Sequence, residues 1–241
     1  MKILISGGDG GLAKEIVKQN TEHDIAAPNR RQMDISRNID IVSNLTMHKP
    51  DIFIHAAAMT RPMVEHIKYP GRSIASNIIG TANVVCSCMS YNKTYNKNIK
   101  IIYISTDYVY PGTTGNYKEE DPLLPINEYA WTKLGGECSV KLYQNHLILR
   151  ACITQSPFPH KKAFIDSYKS CMYHKDAAKI ILKLINKNLN GTINLGGNRL
   201  SVYDFASKEY NVEKLKMKDI KEEVAKDSSM DISKLLRVLN D

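Results

Sequence analysis

The stretch 2-KILISGGDGGLAKEIV-17 decides the fold. Its first five residues form an apolar run of strand length, four glycines follow (Gly7, Gly8, Gly10 and Gly11), and a helical apolar pattern begins directly after them. Gly8, Gly10 and Ala13 fit G-x-G-x-x-G/A, while Gly7, Gly10 and Ala13 fit the related G-x-x-G-x-x-A spacing. Both registers serve one purpose. Glycines let the backbone turn tightly and approach a pyrophosphate, whose charge the following helix N-terminus stabilises; a small residue at 13 lets that helix lie close to the strand. Gly7, Gly10, Gly11, Leu12 and Ala13 are therefore the expected cofactor-binding turn.

Outward from this turn, strand-like and helix-like runs alternate. KILIS (2–6), HDIAA (23–27), DIFIH (51–55), IKIIYIS (99–105), HLILR (146–150) and GTINL (191–195) read as strands. Helical patterns fall at 11–20, 38–48, 71–92 and 127–144, and again at 175–188, 202–209 and 230–239. This alternation implies right-handed crossovers, hence an α/β fold with a Rossmann-type, doubly wound parallel sheet. FIHAAA stays apolar without alternating, as a strand covered on both faces should. Past about residue 151 the pattern loosens. The expected organisation is a nucleotide-binding and catalytic domain over 1–150 and a small substrate-binding annex over 151–241, partly interleaved with it.

Composition excludes several classes. The chain of 241 residues, 43% hydrophobic and 24% charged, has the make-up of an ordinary globular protein. It has no apolar run of membrane-spanning length, and MKILIS is too short for a signal-peptide core, so a cytoplasmic location is expected. The formal charge of +8 comes from scattered lysines, as in 91-YNKTYNKNIK-100 and 213-EKLKMKDIKEE-223, the second interleaved with acids. That points to solvated faces and a polyanionic small ligand rather than nucleic acid. The five cysteines show no zinc-type spacing and read as buried free thiols, and no metal site is expected.

After HDIAA, where an acidic residue would bind the adenine ribose of NAD, the chain has 28-PNRR-31. Arg30 and Arg31 suit a 2′-phosphate, so NADPH is the expected cofactor with NADH as the alternative, and Asp34 and Ile35 fall near the adenine. Ala56, Ala57 and Ala58 end the third strand with small side chains where a dinucleotide passes close by. Ser105, Thr106 and Asp107 end the fourth at the carboxyl edge of the sheet, where doubly wound folds bind ligands. Tyr129 and Lys133 are four apart on one helix face.

In this order, MKILISGGDGGLA, the MDI after the second strand, HAAAMT, ASNIIGTANV, ISTDYVYPG and YAWTK resemble the extended short-chain dehydrogenase/reductases. Within them the chain is most similar to the dTDP-4-dehydrorhamnose reductase family and related nucleotide-sugar 4-ketoreductases. The resemblance covers about residues 1–150 well and continues more thinly through 174-HKDAAKII-181 and 191-GTINLGGNRLSVYDFA-206. It implies reduction of a sugar ketone, with Tyr129 as general acid, Lys133 favouring its phenolate and holding the nicotinamide ribose, and Thr106 bonding the carbonyl oxygen. Ser105 is the stand-in for Thr106, and Asn77 matches a family asparagine that buttresses the cofactor site. Thr60, Arg61, Thr106, Asp107 and Tyr108 are the expected substrate contacts, and Arg150 stands between a phosphate contact and a structural role.

The pattern departs from the family between Arg150 and Asp176, where only about two dozen residues stand and the sugar-nucleotide lobe is normally built. The tail is similar to the bifunctional epimerase/reductases, yet the turn 105-STDYVY-110 lacks their cysteine. It also lacks the carboxylate that dehydratases carry after the Thr-Asp step, having Tyr108 there. A catalytically silent NADP-binding regulatory subunit is the non-enzymatic alternative, against which stands the joint presence of Thr106, Tyr129 and Lys133. The implied partners are a dTDP- or UDP-linked sugar and a second copy of the chain, with no nucleic acid and no membrane.

Overall fold

Six strands carry the molecule: β1 (Lys2–Ser6), β2 (Asp24–Ala26), β3 (Ile52–His55), β4 (Lys100–Thr106), β5 (His146–Ala151) and β6 (Gly191–Leu195). They form one sheet in the order β2-β1-β3-β4-β5-β6, with every pairing parallel. The computed structural model describes residues 1–220 and 224–240, so the last three residues of 213-EKLKMKDIKEE-223 and the end of the annex at 241 lie outside the described residues. The fold is the Rossmann-type doubly wound sheet that the alternation of elements predicts.

Side-chain alternation builds two cores, one per face. Ile3, Ile5, Ile52, Ile54, Ile102, Ile104, Leu147 and Leu149 point to one side, where they meet Leu12, Ala13 and Ile16 of helix α1 (Gly11–Gln19). Leu4, Phe53, Ile101, Tyr103 and Ile148 point to the other, against α2 (Asn38–His48) and α3 (Gly80–Tyr95). Every residue of β3 and β4 is buried, which accounts for the non-alternating apolar runs 52-IFI-54 and 101-IIYI-104 within them. Helix α4 (Glu128–Lys141) starts where the Asn127 side chain accepts the Ala130 N–H at 2.9 Å.

Residues past 151 are divided between the sheet and a separate annex. Helix α5 (His174–Ile185) buries Ala177, Ala178, Ile181, Leu184 and Ile185, a helical stripe that joins the same core as α1, and β6 extends the main sheet. Helix α6 (Ser233–Asn240) adds Leu235 to that core. The annex proper includes the short pairings of Lys162–Phe164 with Glu213–Leu215, Tyr168–Lys169 with Leu200–Ser201 and Ile153–Thr154 with Met172–Tyr173, and a short helix, Val202–Ala206. Strands this short carry no periodicity, and of the two- and three-residue strands only β2, inside the run HDIAA (23–27), is anticipated from the sequence. The helix expected at 71–92 is three pieces, a turn at Pro70–Ser73, a π-helical stretch at Ile74–Ile79 and α3, and a further short helix spans Val64–Lys68. No helix among the described residues is long and apolar enough to cross a membrane.

The cysteines differ from expectation at two positions. Cys88 and Cys152 are buried free thiols, but Cys86 and Cys138 are exposed on outward helix faces. Cys171 is partly covered, with its sulfur 3.4 Å from that of Cys152.

Candidate active site

The chain leaves β1 for β2 on one side and returns to β3 on the other, so a crevice opens between the carboxyl ends of β1 and β3. Gly7 lines it with φ +77°, and a Cβ there would stand 2.9 Å from Ala57 Cα. Gly10 donates its N–H to Gly7 O at 2.8 Å, closing the turn before α1. Leu12 and Ala13 bury their side chains in the core, so what they offer an anion is backbone N–H. Beneath the crevice a buried relay fixes the strand ends: Ser6 Oγ lies 2.8 Å from His55 Nδ1, His55 Nε2 3.0 Å from Thr81 Oγ1, and the Ala57 N–H reaches Ser6 Oγ at 3.2 Å. Burial, with the Lys133 charge, pushes His55 down to about 3, which makes it a neutral strut.

At one end of the crevice lies a cavity of about 640 Å³ lined by Asp9, Asn29, Arg30, Arg31, Asp34, Arg37 and Asp40. Arg30 Nε is 3.2 Å from Asp34 Oδ2. Burial pushes the Asp34 carboxyl up, but hydrogen bonds from Ser36 and Arg30 outweigh it and hold the group below the usual carboxylate range. Ile35 is buried and packs over Gly80. Three guanidinium groups beside a glycine turn form a donor set that fits a dinucleotide carrying an additional phosphate. Arg37 was not among the expected residues, although its closeness to 28-PNRR-31 is a signal that reading could have used.

At the other end, Thr106 closes β4; its hydroxyl accepts the Tyr108 N–H at 3.3 Å and donates to Asp107 Oδ1 at 3.2 Å. Tyr129, on the first turn of α4, has its ring centre 5.3 Å from that of His66. Burial raises the Tyr129 phenol above its ordinary value, the Asp107 and Tyr108 charges add to this, and Thr106 and Arg61 oppose it. Lys133, one turn on, is buried with its ammonium 4.1 Å from the centre of the Tyr103 ring. Burial pulls it down to about 7, against the opposing charge of Glu137. The cation acting on Tyr129 here is Arg61, while Lys133 sits over Tyr103.

Three expected contacts have their polar groups taken up within the protein. Ser105 donates its hydroxyl to Glu137 at 2.5 Å, so its proton is turned away from a cofactor. Asn77, in the π-helical stretch, donates both amide hydrogens, to Met59 O and Thr132 Oγ1 at 2.9 Å each, and accepts the Met59 N–H at 2.8 Å. Its role is to tie the loop after β3 to α4 rather than to donate to a cofactor. Asp107 is buried: its Oδ2 accepts from Lys169 Nζ at 3.2 Å and Ser228 Oγ at 2.7 Å on the annex side, while its Oδ1 accepts the Thr106 hydroxyl at 3.2 Å. Arg150, with Glu137, forms a buried bidentate pair with contacts of 2.9 and 3.1 Å, which is the structural role. Thr60 and Arg61 are exposed at the crevice mouth, and Tyr108 is partly covered.

The Lys133 value carries a testable consequence. Its folded value of about 7 lies below the ordinary 10.5, so between the two the unfolded chain binds the extra proton and stability rises with pH. The penalty is full below pH 7. Relative to Lys133→Met, the unmutated chain should gain by up to about 1.4 kcal/mol per pH unit between pH 7 and 10 in urea unfolding; a difference constant with pH contradicts the assignment.

Residues 1–165 match the family model described as the RmlD substrate binding domain. The chain belongs to this family. Among solved RmlD-type structures, the dTDP-4-dehydrorhamnose reductase from Bacillus anthracis in complex with NADP superposes with TM-score 0.85 at 25% identity, covering 98% of this chain and 92% of that one. The curated dTDP-4-dehydrorhamnose reductase of Aggregatibacter actinomycetemcomitans is 29% identical over 159 residues, 64% of this chain and 51% of its own length. The chain thus spans about half the length of that reductase in the match. The bovine methionine adenosyltransferase 2 subunit beta is 26% identical over 242 residues, 85% of this chain and 70% of its own. Within this RmlD-family site, Lys169, Ser228, His66 and Glu137 went unanticipated. The first two come from the annex, where no motif marks them.

Proposed function

We propose that this protein catalyses the NADPH-dependent reduction of the 4-keto group of a nucleotide-linked 4-keto-6-deoxyhexose, in the cytoplasm and as a homodimer. One observation carries the reading: the helix that bears Tyr129 packs against the strand that Thr106 closes, at the same carboxyl edge of the sheet as the glycine turn. The names of the reductase relatives, one of them crystallised with NADP, support it. The arginine cavity would hold the adenosine phosphate, the turn at Gly7 to Ala13 the pyrophosphate, and Lys133 the nicotinamide ribose. NADPH when bound supplies the hydride. Tyr129 gives a proton to the carbonyl oxygen and Thr106 bonds that oxygen as charge develops on it. His66, with its ring nitrogens 3.3 Å from Thr60 O and 2.8 Å from Ser73 Oγ, and Asn77, bonded to Met59, hold the neighbouring loop in place beside these groups.

The test is NADPH oxidation with dTDP-, UDP- and GDP-linked 4-keto-6-deoxyhexoses, with products identified by NMR. Turnover of at least one supports the reading, and the nucleotide preferred names the substrate. Arg30→Ala with Arg31→Ala should weaken NADPH roughly 100-fold and NADH by less than about three-fold. Equal losses for the two cofactors would overturn the 2′-phosphate assignment.

A second reading has one specific observation behind it. The subunit beta relative covers 85% of this chain, more than the 64% covered by the reductase relative. On that reading the chain binds NADPH and serves as a non-catalytic subunit of another enzyme. Tight NADPH binding with no turnover across the panel would favour it.

A further inference from the structure

Asp107 is where the annex meets the catalytic strand end, and the contact is ionic. The annex strand Tyr168–Lys169 runs beside residues 226–228, with the Tyr168 N–H on Lys226 O at 2.9 Å and the Ser228 N–H on Tyr168 O at 3.0 Å. This pairing presents Lys169 and Ser228 together. Lys169 Nζ lies 3.2 Å from Asp107 Oδ2, 3.2 Å from Ser228 Oγ and 3.8 Å from the centre of the Tyr108 ring. The Lys169 and Asp107 side chains are only 11% and 6% exposed. A buried ammonium needs a full set of acceptors, and here a carboxylate, a hydroxyl and an aromatic face supply them. Asp107 directly follows Thr106 and Tyr108 comes next, so one annex cation grips both residues after the oxyanion-binding threonine.

We propose that Lys169 is a positioning residue for the reduction: by pairing with Asp107 and capping the Tyr108 ring, it holds the end of β4 so that Thr106 and Tyr129 address one carbonyl oxygen. The proposal rests on the reductase reading and extends it to a residue from the shortened annex. The pair also has an electrostatic effect. The groups that act on the Tyr129 phenol are Asp107 and Tyr108 from the β4 end and Arg61 from the loop after β3; the ring of His66, from the short helix Val64–Lys68, packs against its ring, and Lys133 on its own helix lies over Tyr103. Of these, Asp107 is the carboxylate that pushes the phenol up, and Lys169 is the cation bonded to it. Without Lys169, Asp107 keeps the Ser228 and Thr106 hydroxyls as donors but acts on Tyr129 with no counter-charge bonded to it.

Lys169→Met and Lys169→Arg separate these roles. Lys169→Met should lower kcat at least ten-fold with the KM for NADPH within two-fold, and Lys169→Arg should recover most of the loss. Independently of turnover, Tyr129 ionisation followed by NMR of ¹³Cζ-labelled tyrosine with NADP⁺ present should begin about one pH unit higher in Lys169→Met and move little in Lys169→Arg. Identical titrations in Lys169→Met and the unmutated chain overturn the proposal whatever the substrate panel gives. A displaced titration with no turnover by the unmutated chain leaves Lys169 tied to Tyr129 and removes the reductase reading instead. Equal kcat losses in Met and Arg variants, with unmoved titrations, reduce Lys169 to a packing residue.

Discussion

Tyr129→Phe should lower kcat by roughly 10²–10⁴-fold while leaving NADPH affinity within a few-fold. The substitution removes one hydroxyl and keeps the ring that packs 5.3 Å from His66, so the fold and the crevice survive. What is lost is proton transfer in the transition state, about 3–5 kcal/mol of barrier. Burial first, then the Asp107 and Tyr108 charges, keep the phenol protonated at working pH, so it enters the reaction as an acid. Thr106 remains to bond the oxygen, and its contribution sets the residual rate. Steady-state kinetics with fluorescence titration of NADPH checks both halves. A Phe variant with activity within ten-fold of the unmutated chain would remove Tyr129 as the acid and leave Thr106 or a solvent route. A Phe variant that loses NADPH binding as well would mean that the hydroxyl serves the cofactor and not the ketone.

The order of the six main strands and the turn after the first of them are legible in the residue pattern. The glycine turn follows from short-range pattern, because it stands between a five-residue apolar strand and a helix that buries Leu12, Ala13 and Ile16 on one face, whereas β2 is only three residues long and the helix bearing Tyr129 carries little periodicity. Gly7 takes φ +77° at the place its motif requires. The misplacements have a common physical cause. Ser105 and Asp107 look exposed on a sequence, being polar residues at a strand end, yet both are at most 4% exposed because later segments cover them. Glu137, one turn beyond Lys133, takes the Ser105 proton, and Lys169 and Ser228 take Asp107. Such long-range pairings, spanning 32 to 121 residues, leave no mark in local spacing. The annex was the least readable part because its strands are two or three residues long and lean on each other, not on a repeated apolar face.

Glu137→Gln should destabilise the folded chain by about 3–5 kcal/mol, a fall in Tm of roughly 6–20 °C for a domain of this size. Both partners of the ion pair are essentially unexposed, Arg150 at 1% and Glu137 at 0%. Arg150 donates to both Glu137 oxygens, to Tyr110 OH at 2.9 Å and to Glu119 O at 2.9 Å. Tyr110 passes the chain of bonds on to Asn194 in β6 at 2.7 Å, so one network ties α4, β4, β5 and β6 together beneath the catalytic edge. An amide keeps the shape but leaves a buried guanidinium without its counter-charge. It also removes the charge that holds Lys133 up, so Lys133 should fall below about 7 and be neutral at physiological pH. Stability and the cofactor-side charge are thus coupled at one carboxylate. The double variant Glu137→Met, Arg150→Met should recover only part of the stability, since Ser105, Tyr110 and the Glu119 carbonyl are left without that partner. Differential scanning calorimetry with chemical unfolding of the single and double variants decides the matter. Full recovery in the double variant would make the ion pair dispensable to the fold and leave its charge on Lys133 as its remaining role.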